Sequence, residues 1–294
     1  MRNICMPFAF AGFLMITITS DSRTSAVGAN SGRFSYDSYA TTLKKYVDDT
    51  GMVNYAGLNT DPAKLKAFVD SMGRLDPNVY DRWNEKEQIA FWLNVYNGLT
   101  LKVIIDNYPI KPSFFRSRVY PKNSIRQIAG VWDKITFRVM GRDLTLGHIE
   151  HEVLRRKFDE PRIHMAMVCA AMSCPPLRNE PYTAQKLGQQ LDDQSTKFLT
   201  NSKNFRIDRS KALLYLSPIL KWFDSDFVNK YAPRENIGMH NRETSAVLNF
   251  IAGYLPPSER DFVLKGNFKI NYSKYDWSLN EQERPAARKN QNEP

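Results

Sequence analysis

Reactive side chains are scarce in this chain: 294 residues contain three cysteines and four histidines. One cysteine, Cys5, sits in the opening apolar stretch, which leaves only Cys169 and Cys174 beyond it. No Gly-rich loop of the phosphate-cradling kind joins a strand to a helix, so a nucleotide-binding site is set aside. Internal repeats and long low-complexity linkers are also missing. The 41 Lys and Arg residues form no tract, although the formal net charge is +10. Dispersed basicity of this kind draws a protein to anionic surfaces but is a poor signature for nucleic acid, and no nucleic-acid partner is expected.

What is present begins with a leader. Met1-Arg2-Asn3 precedes an apolar run over residues 4–18, broken only by Pro7, Gly12 and Thr17, with small residues at Val27 and Ala29. The pattern is that of a signal peptide cut after Ala29. It is shorter than the roughly 20 apolar residues a membrane span requires. We therefore expect residues 1–29 to be a signal peptide, and the mature chain to be secreted or periplasmic with no membrane span. Residues 30–280 are expected to form one domain, and residues 281–294, polar and charged, a disordered tail.

Helical spacing covers residues 34–47 and, after Pro62, a face carrying Leu65, Phe68, Val69 and Met72. Between them residues 50–55 read as a turn leading into an extended segment. Residues 85–105 are apolar all round, the mark of a buried helix. Its two amides, Asn94 and Asn97, need partners, either by tying loops to the helix or by orienting a substrate. Residues 114–127 have no clean period. Hairpins are predicted at residues 134–144 and 205–216, helices at residues 145–158 and 243–254, and a last strand at residues 267–272. The fold class is α+β: a buried central helix with surrounding helices and a small antiparallel sheet.

The richest segment runs from His164 through Cys169 and Cys174 to Pro175, Pro176 and Arg178. In a thiol-enzyme reading, Cys174 is the nucleophile, held at a rigid loop start by the two prolines, whereas Cys169, among apolar neighbours, reads as core. His164 or His151 is then the base, Glu150, Asp224 or Asp226 orients it, and Arg178 binds a substrate carboxylate or oxyanion. In a disulfide reading the two cysteines pair, because the prolines end a helix near Ser173 and let the chain fold back. Both readings stay open. A metal is not assigned: His148, His151 and Glu152 do not follow the His-Glu-x-x-His arrangement. No cofactor is expected either. Trp92, Trp132, Trp222 and Trp277 suggest a groove for a peptide or small-molecule ligand without chemistry.

Several blocks together resemble the domain of unknown function 547 family. They are Gly51 to Tyr55, Ala90 to Asn97, Leu146 with Ile149-Glu150-His151 and Leu154-Arg155, His164 through Ser173 to Arg178, Leu216 to Phe227, and Tyr275 to Asn280. The resemblance implies that Asn94, Asn97, Glu150, His151, His164, Cys174 and Arg178 occupy patterned positions. It implies no activity. A papain-type arrangement, with the cysteine at the start of the buried helix, does not transfer, because this helix carries no cysteine.

Overall fold

The computed structural model describes residues 34–283, so the leader expected at residues 1–29 and the tail beyond residue 283 lie outside it. Its axis is the helix Glu85–Asp106. Asn84 starts it with a reciprocal cap: its side chain accepts from the Glu87 N–H at 3.1 Å, and the Glu87 carboxylate accepts from the Asn84 N–H at 2.9 Å. Two of the donors orphaned at a helix start are thereby satisfied. From Ile89 to Ile105 every residue of the helix but Lys102 is buried. Gly98 allows this, since a β-carbon there would stand 2.7 Å from the Phe68 ring. The helix Ala63–Arg74 can therefore press its Leu65, Phe68 and Met72 face against the axis, and Tyr39 of the helix Asp37–Tyr46 stacks on Phe68 with ring centroids 4.4 Å apart.

Three helices depart from the sequence-based expectation. After Gly51 the chain extends as expected only through Val53, which bridges to Val47 and Glu281; Asn54 then accepts from the Gly57 N–H at 2.8 Å and starts the helix Tyr55–Thr60. The helix Leu187–Thr200 has no clean apolar stripe because Gln190 and Gln194 also point inward, donating to the Pro181 and Pro176 carbonyls at 2.9 and 2.7 Å. Finally, Pro256 and Pro257 end the helix Arg242–Ala252 but open another, Pro257–Lys265, since proline suits a first helical turn.

Two small sheets complete the α+β fold. Strands β1 (Thr136–Val139) and β2 (Arg142–Thr145) form the expected antiparallel hairpin, with Met140 and Gly141 both at positive φ in the turn. Strands β3 (Phe205–Asp208) and β4 (Leu213–Leu216) form a second, in register Phe205 to Leu216. A third strand, β5 (Lys269–Tyr272), joins β4 in parallel, so this sheet is mixed. Apolar side chains gather in two clusters, one around the axial helix and one among Phe198, Leu214, Phe227 and Phe250.

Past β5 the chain runs beside residues 170–173. The Met172 N–H donates to the Ser278 carbonyl at 2.8 Å, the Ser173 N–H to the Asp276 carbonyl at 3.2 Å, and the Asn280 N–H to the Ala170 carbonyl at 3.3 Å. It then meets the front of the domain, where the Val53 N–H donates to Asn280 and the Gln282 N–H to Val53, at 2.9 and 3.0 Å. Glu281 and Gln282, expected in the tail, are thus ordered, because Val53 offers them an open strand edge. Among the described residues no helix is long and apolar enough to cross a membrane.

Candidate functional site

A cavity of about 340 Å³ opens where the cysteine segment meets the final stretch of chain, and Glu150, His151, His164, Cys169 and Cys174 all line it. Each is placed by a local device. Glu150 and His151 lie in a π-helical stretch, Ile149–Leu154, set within the continuous helical run 146–157. Such wide turns shift side chains out of ordinary helical register and recur at functional sites. The Tyr96 hydroxyl of the axial helix donates to Glu150 at 3.0 Å.

His164 closes a 3₁₀ turn, Pro161–Met165, and the helix expected to run on to Ser173 does not form. The reason is visible in the axial helix. Asn97 donates to the Ala166 carbonyl and accepts from the Val168 N–H, both at 2.9 Å, which fixes residues 166–168 in a non-helical course. Ala170, at φ 57°, then reverses the chain. Cys169 and Cys174 consequently stand at disulfide distance, with sulfurs 2.15 Å and Cα atoms 6.2 Å apart. Cys169 is not core, as its apolar neighbours had suggested: it is partly exposed on the cavity wall, while Cys174 is the more buried of the pair. The Cys169 N–H donates to the Cys174 sulfur at 3.0 Å, and the Tyr275 hydroxyl lies 3.1 Å from that sulfur and 3.3 Å from the other.

An ion pair orients the histidine. Arg155 grips Asp226 with two hydrogen bonds, Nε to Oδ2 at 2.7 Å and Nη2 to Oδ1 at 2.9 Å, and His164 Nε2 lies 2.7 Å from the same Oδ2. Burial works against the charged form of Asp226, but the bonds from His164 and Arg155 outweigh it and hold the carboxyl well below its ordinary range. An ionised carboxylate only accepts, so His164 Nε2 must carry the hydrogen. Burial also lowers the pKa of His164, against the pull of Asp226, which favours the neutral ring. Nδ1 is then a lone-pair nitrogen, buried without a hydrogen-bond partner among the described residues. The ring is stacked on Phe223 at 4.1 Å. His151 is set differently, its Nδ1 accepting from the Arg155 guanidinium at 3.0 Å.

Aromatic rings supply much of the remaining wall. Trp132, Trp222, Tyr275 and Trp277 line the cavity, with Trp277 4.6 Å from Tyr275, 6.1 Å from Trp132 and 6.4 Å from Trp222. Trp92, grouped with them on sequence, is instead buried in the axial helix and donates to the Tyr80 hydroxyl at 2.8 Å.

The other sequence candidates lie elsewhere. Asn94 donates to the Tyr182 carbonyl at 2.8 Å and accepts from the Tyr182 N–H at 2.9 Å, so this amide, like Asn97, ties a loop to the axis. Neither is among the cavity-lining residues. Arg178 is absent from them too: it pairs with Glu180 at 2.8 Å and with Asp193, leaving its guanidinium engaged far from the role of an oxyanion ligand. Missed on sequence were Tyr96, Arg126, Phe223 and Tyr275 as wall residues, and Arg155 as the partner of Asp226. The block Tyr275-Asp276-Trp277 was the available signal, but nothing in its spacing said that it would return to the cysteines.

No curated protein and no solved structure matches the chain. A protein-family model described as "Protein of unknown function, DUF547" matches residues 80–199, a stretch that includes the axial helix, the π-helical turn with Glu150 and His151, and the segment from His164 to Arg178. Over those residues the chain is similar to the domain of unknown function 547 family.

Proposed function

We propose that the protein is an exported binding module whose aromatic cleft takes a peptide side chain or small molecule, with Cys169 and Cys174 joined in a disulfide that shapes the cleft wall. The observation that carries this reading is the pairing of the sulfurs within a cavity faced by Trp132, Trp222, Tyr275 and Trp277. Flat, rigid rings bring large contact area at small entropic cost, and a cavity of about 340 Å³ matches the size of small-ligand pockets. Glu150 adds one polar point to fix orientation.

Trp222 offers the cleanest test, being 49% exposed and so dispensable to the core. Trp222→Ala should weaken a ligand found by a thermal-shift screen of peptides and envelope metabolites at least tenfold, while shifting the melting temperature of the free protein by less than about 2 °C, as surface substitutions do. Unchanged affinity in a titration would place the ligand outside the cleft.

A second reading, a cysteine-dependent hydrolase or acyl transferase, is favoured by one feature: His164, oriented by Asp226, has no hydrogen-bond partner at Nδ1 among the described residues, and it lines the cavity that both sulfurs line. That is the arrangement of a base awaiting a thiol. It requires the reduced pair. Alkylation of the mature protein near neutral pH, before and after reduction, with peptide mapping, separates the two. Labelling of both cysteines only after reduction supports the binding module. A Cys174 or Cys169 that labels quickly without reductant favours the thiol enzyme, with His164 as its base.

A further inference from the structure

The segment from residue 107 to residue 132 contains no acidic residue, yet it carries Lys111, Arg116, Arg118, Lys122 and Arg126. At its tip three large apolar side chains stand in solvent: Phe114 at 73%, Phe115 at 75% and Val119 at 74% exposure. These are half of the large hydrophobic residues exposed among the described residues, and they cluster within six positions. Apolar side chains on an exposed loop ordinarily fold down onto the nearest surface; here the loop is braced so that they cannot. Arg116 spends its guanidinium inward, donating to the Arg126 and Ile128 carbonyls at 3.0 and 3.1 Å. Gln127 accepts from the Ser113 N–H at 2.9 Å and donates to the Pro121 carbonyl at 2.9 Å. The Arg118 guanidinium lies 4.8 Å from the centre of the Phe114 ring, and the Phe114 and Phe115 rings meet edge to face at 5.4 Å. Lys111, Arg118 and Lys122 remain exposed around them.

We propose that this loop docks the protein on an anionic lipid bilayer, Phe114, Phe115 and Val119 entering the interface while Lys111, Arg118 and Lys122 meet the headgroups. The match is one of both chemistry and charge: apolar groups ringed by cations bind the headgroup boundary through area and electrostatics together, and neither suffices alone. A protein partner would have to supply an acidic rim around an apolar socket; a bilayer presents both everywhere. The base of the loop is also a rim of the cleft, since Tyr120 meets Trp277 at 6.2 Å and Arg126 lies over the Trp277 ring at 5.0 Å. Docking therefore sets the cleft beside the membrane.

The test is flotation of the full chain with vesicles of phosphatidylcholine, alone or with 30% phosphatidylglycerol as an experimental choice of about physiological surface charge. Binding should require the anionic lipid and fall with salt. Phe114→Ser with Phe115→Ser should lower affinity at least tenfold, as should Lys111→Gln, Arg118→Gln and Lys122→Gln together. Removing three cations from the remote hairpin, as Arg206→Gln, Arg209→Gln and Lys211→Gln, should leave it within about twofold, which separates docking from attraction by net charge. A Phe114→Trp variant reports insertion directly, through a blue-shifted emission quenched by brominated lipid. Absence of binding to the anionic vesicles, equal loss in the remote variant, or a tryptophan that is neither shifted nor quenched would each overturn the proposal.

Discussion

Asn97→Ala should destabilise the protein by about 3 kcal/mol, since it strands a carbonyl and an N–H in the core, each costing about 1–3 kcal/mol when unpaired. Asn97 is 2% exposed, and its side chain is the partner of both the Ala166 carbonyl and the Val168 N–H. At roughly 2–4 °C per kcal/mol for a domain of this size, the melting temperature should drop by about 6–12 °C. The effect should also reach the cysteine pair, because Val168 precedes Cys169 and, apart from the Ala166 and Met167 N–H bonds to the Ile163 carbonyl, Asn97 is what holds residues 166–168 in their course. Asn97→Asp is a sharper probe. It can still accept from Val168 but turns an oxygen on the Ala166 carbonyl, and should be no better than alanine. A drop of less than about 2 °C in either variant would mean that the amide is not what sets this segment.

Asp226→Ala should be comparably severe, about 3 kcal/mol, because it leaves a half-buried Arg155 without its bidentate partner and His164 without an acceptor. The acid limb of stability identifies the cause. His164 has its pKa lowered below 6.5 in the fold, so as pH falls past 6.5 the unfolded chain takes up a proton that the native one refuses, and stability declines until the native ring also titrates. Asp226 is lowered below 3.8, so a second decline begins as pH falls through 3.8, where the unfolded carboxyl is protonated and the native one is still charged. Denaturant titrations from pH 7 to 3 should show both limbs in the wild type. The variant should keep the first and show a shallower second, to which Glu160, Glu180 and Asp193, also held below their ordinary range by paired arginine and lysine, still contribute. A lower limb as steep in Asp226→Ala as in the wild type would mean that those carboxylates, and not Asp226, carry the acid sensitivity.

Much of this architecture was legible because single features dominate it. The axial helix announces itself through a run with no polar face, the hairpin at β1 and β2 through alternation around Met140 and Gly141, and the π-containing helix through Ile149, Val153 and Leu154. Legibility failed where inward positions are polar. Gln190 and Gln194 erase the stripe of the helix Leu187–Thr200, though each finds a buried carbonyl. It failed again where a local rule points the wrong way: two prolines read as a stop, yet Pro257 also begins a helix. At the site, the sequence indicated which residue types matter but not their pairing. Asp226 lies 62 positions from His164 and Tyr275 lies 101 from Cys174, and no periodicity encodes contacts at such separations. Asn97 shows the reverse case, where a bland structural tie proved to be what positions the cysteine segment.

The last described stretch of chain has a bearing on when the protein becomes competent. Tyr275 and Trp277, a wall of the cleft, lie about a hundred residues beyond Cys174, and Ile219, Trp222 and Phe223 also follow the residues that the family model matches. During synthesis, Cys169 and Cys174 therefore emerge roughly a hundred residues before the ring that will cover them, at an elongation rate of about 5–20 residues per second. For some seconds the sulfurs are open to any oxidant or thiol in the surroundings, and the arrival of Tyr275 closes that interval. A nascent or clipped chain ending before Tyr275 would keep the matched segment but lack the cleft wall made by Tyr275 and Trp277.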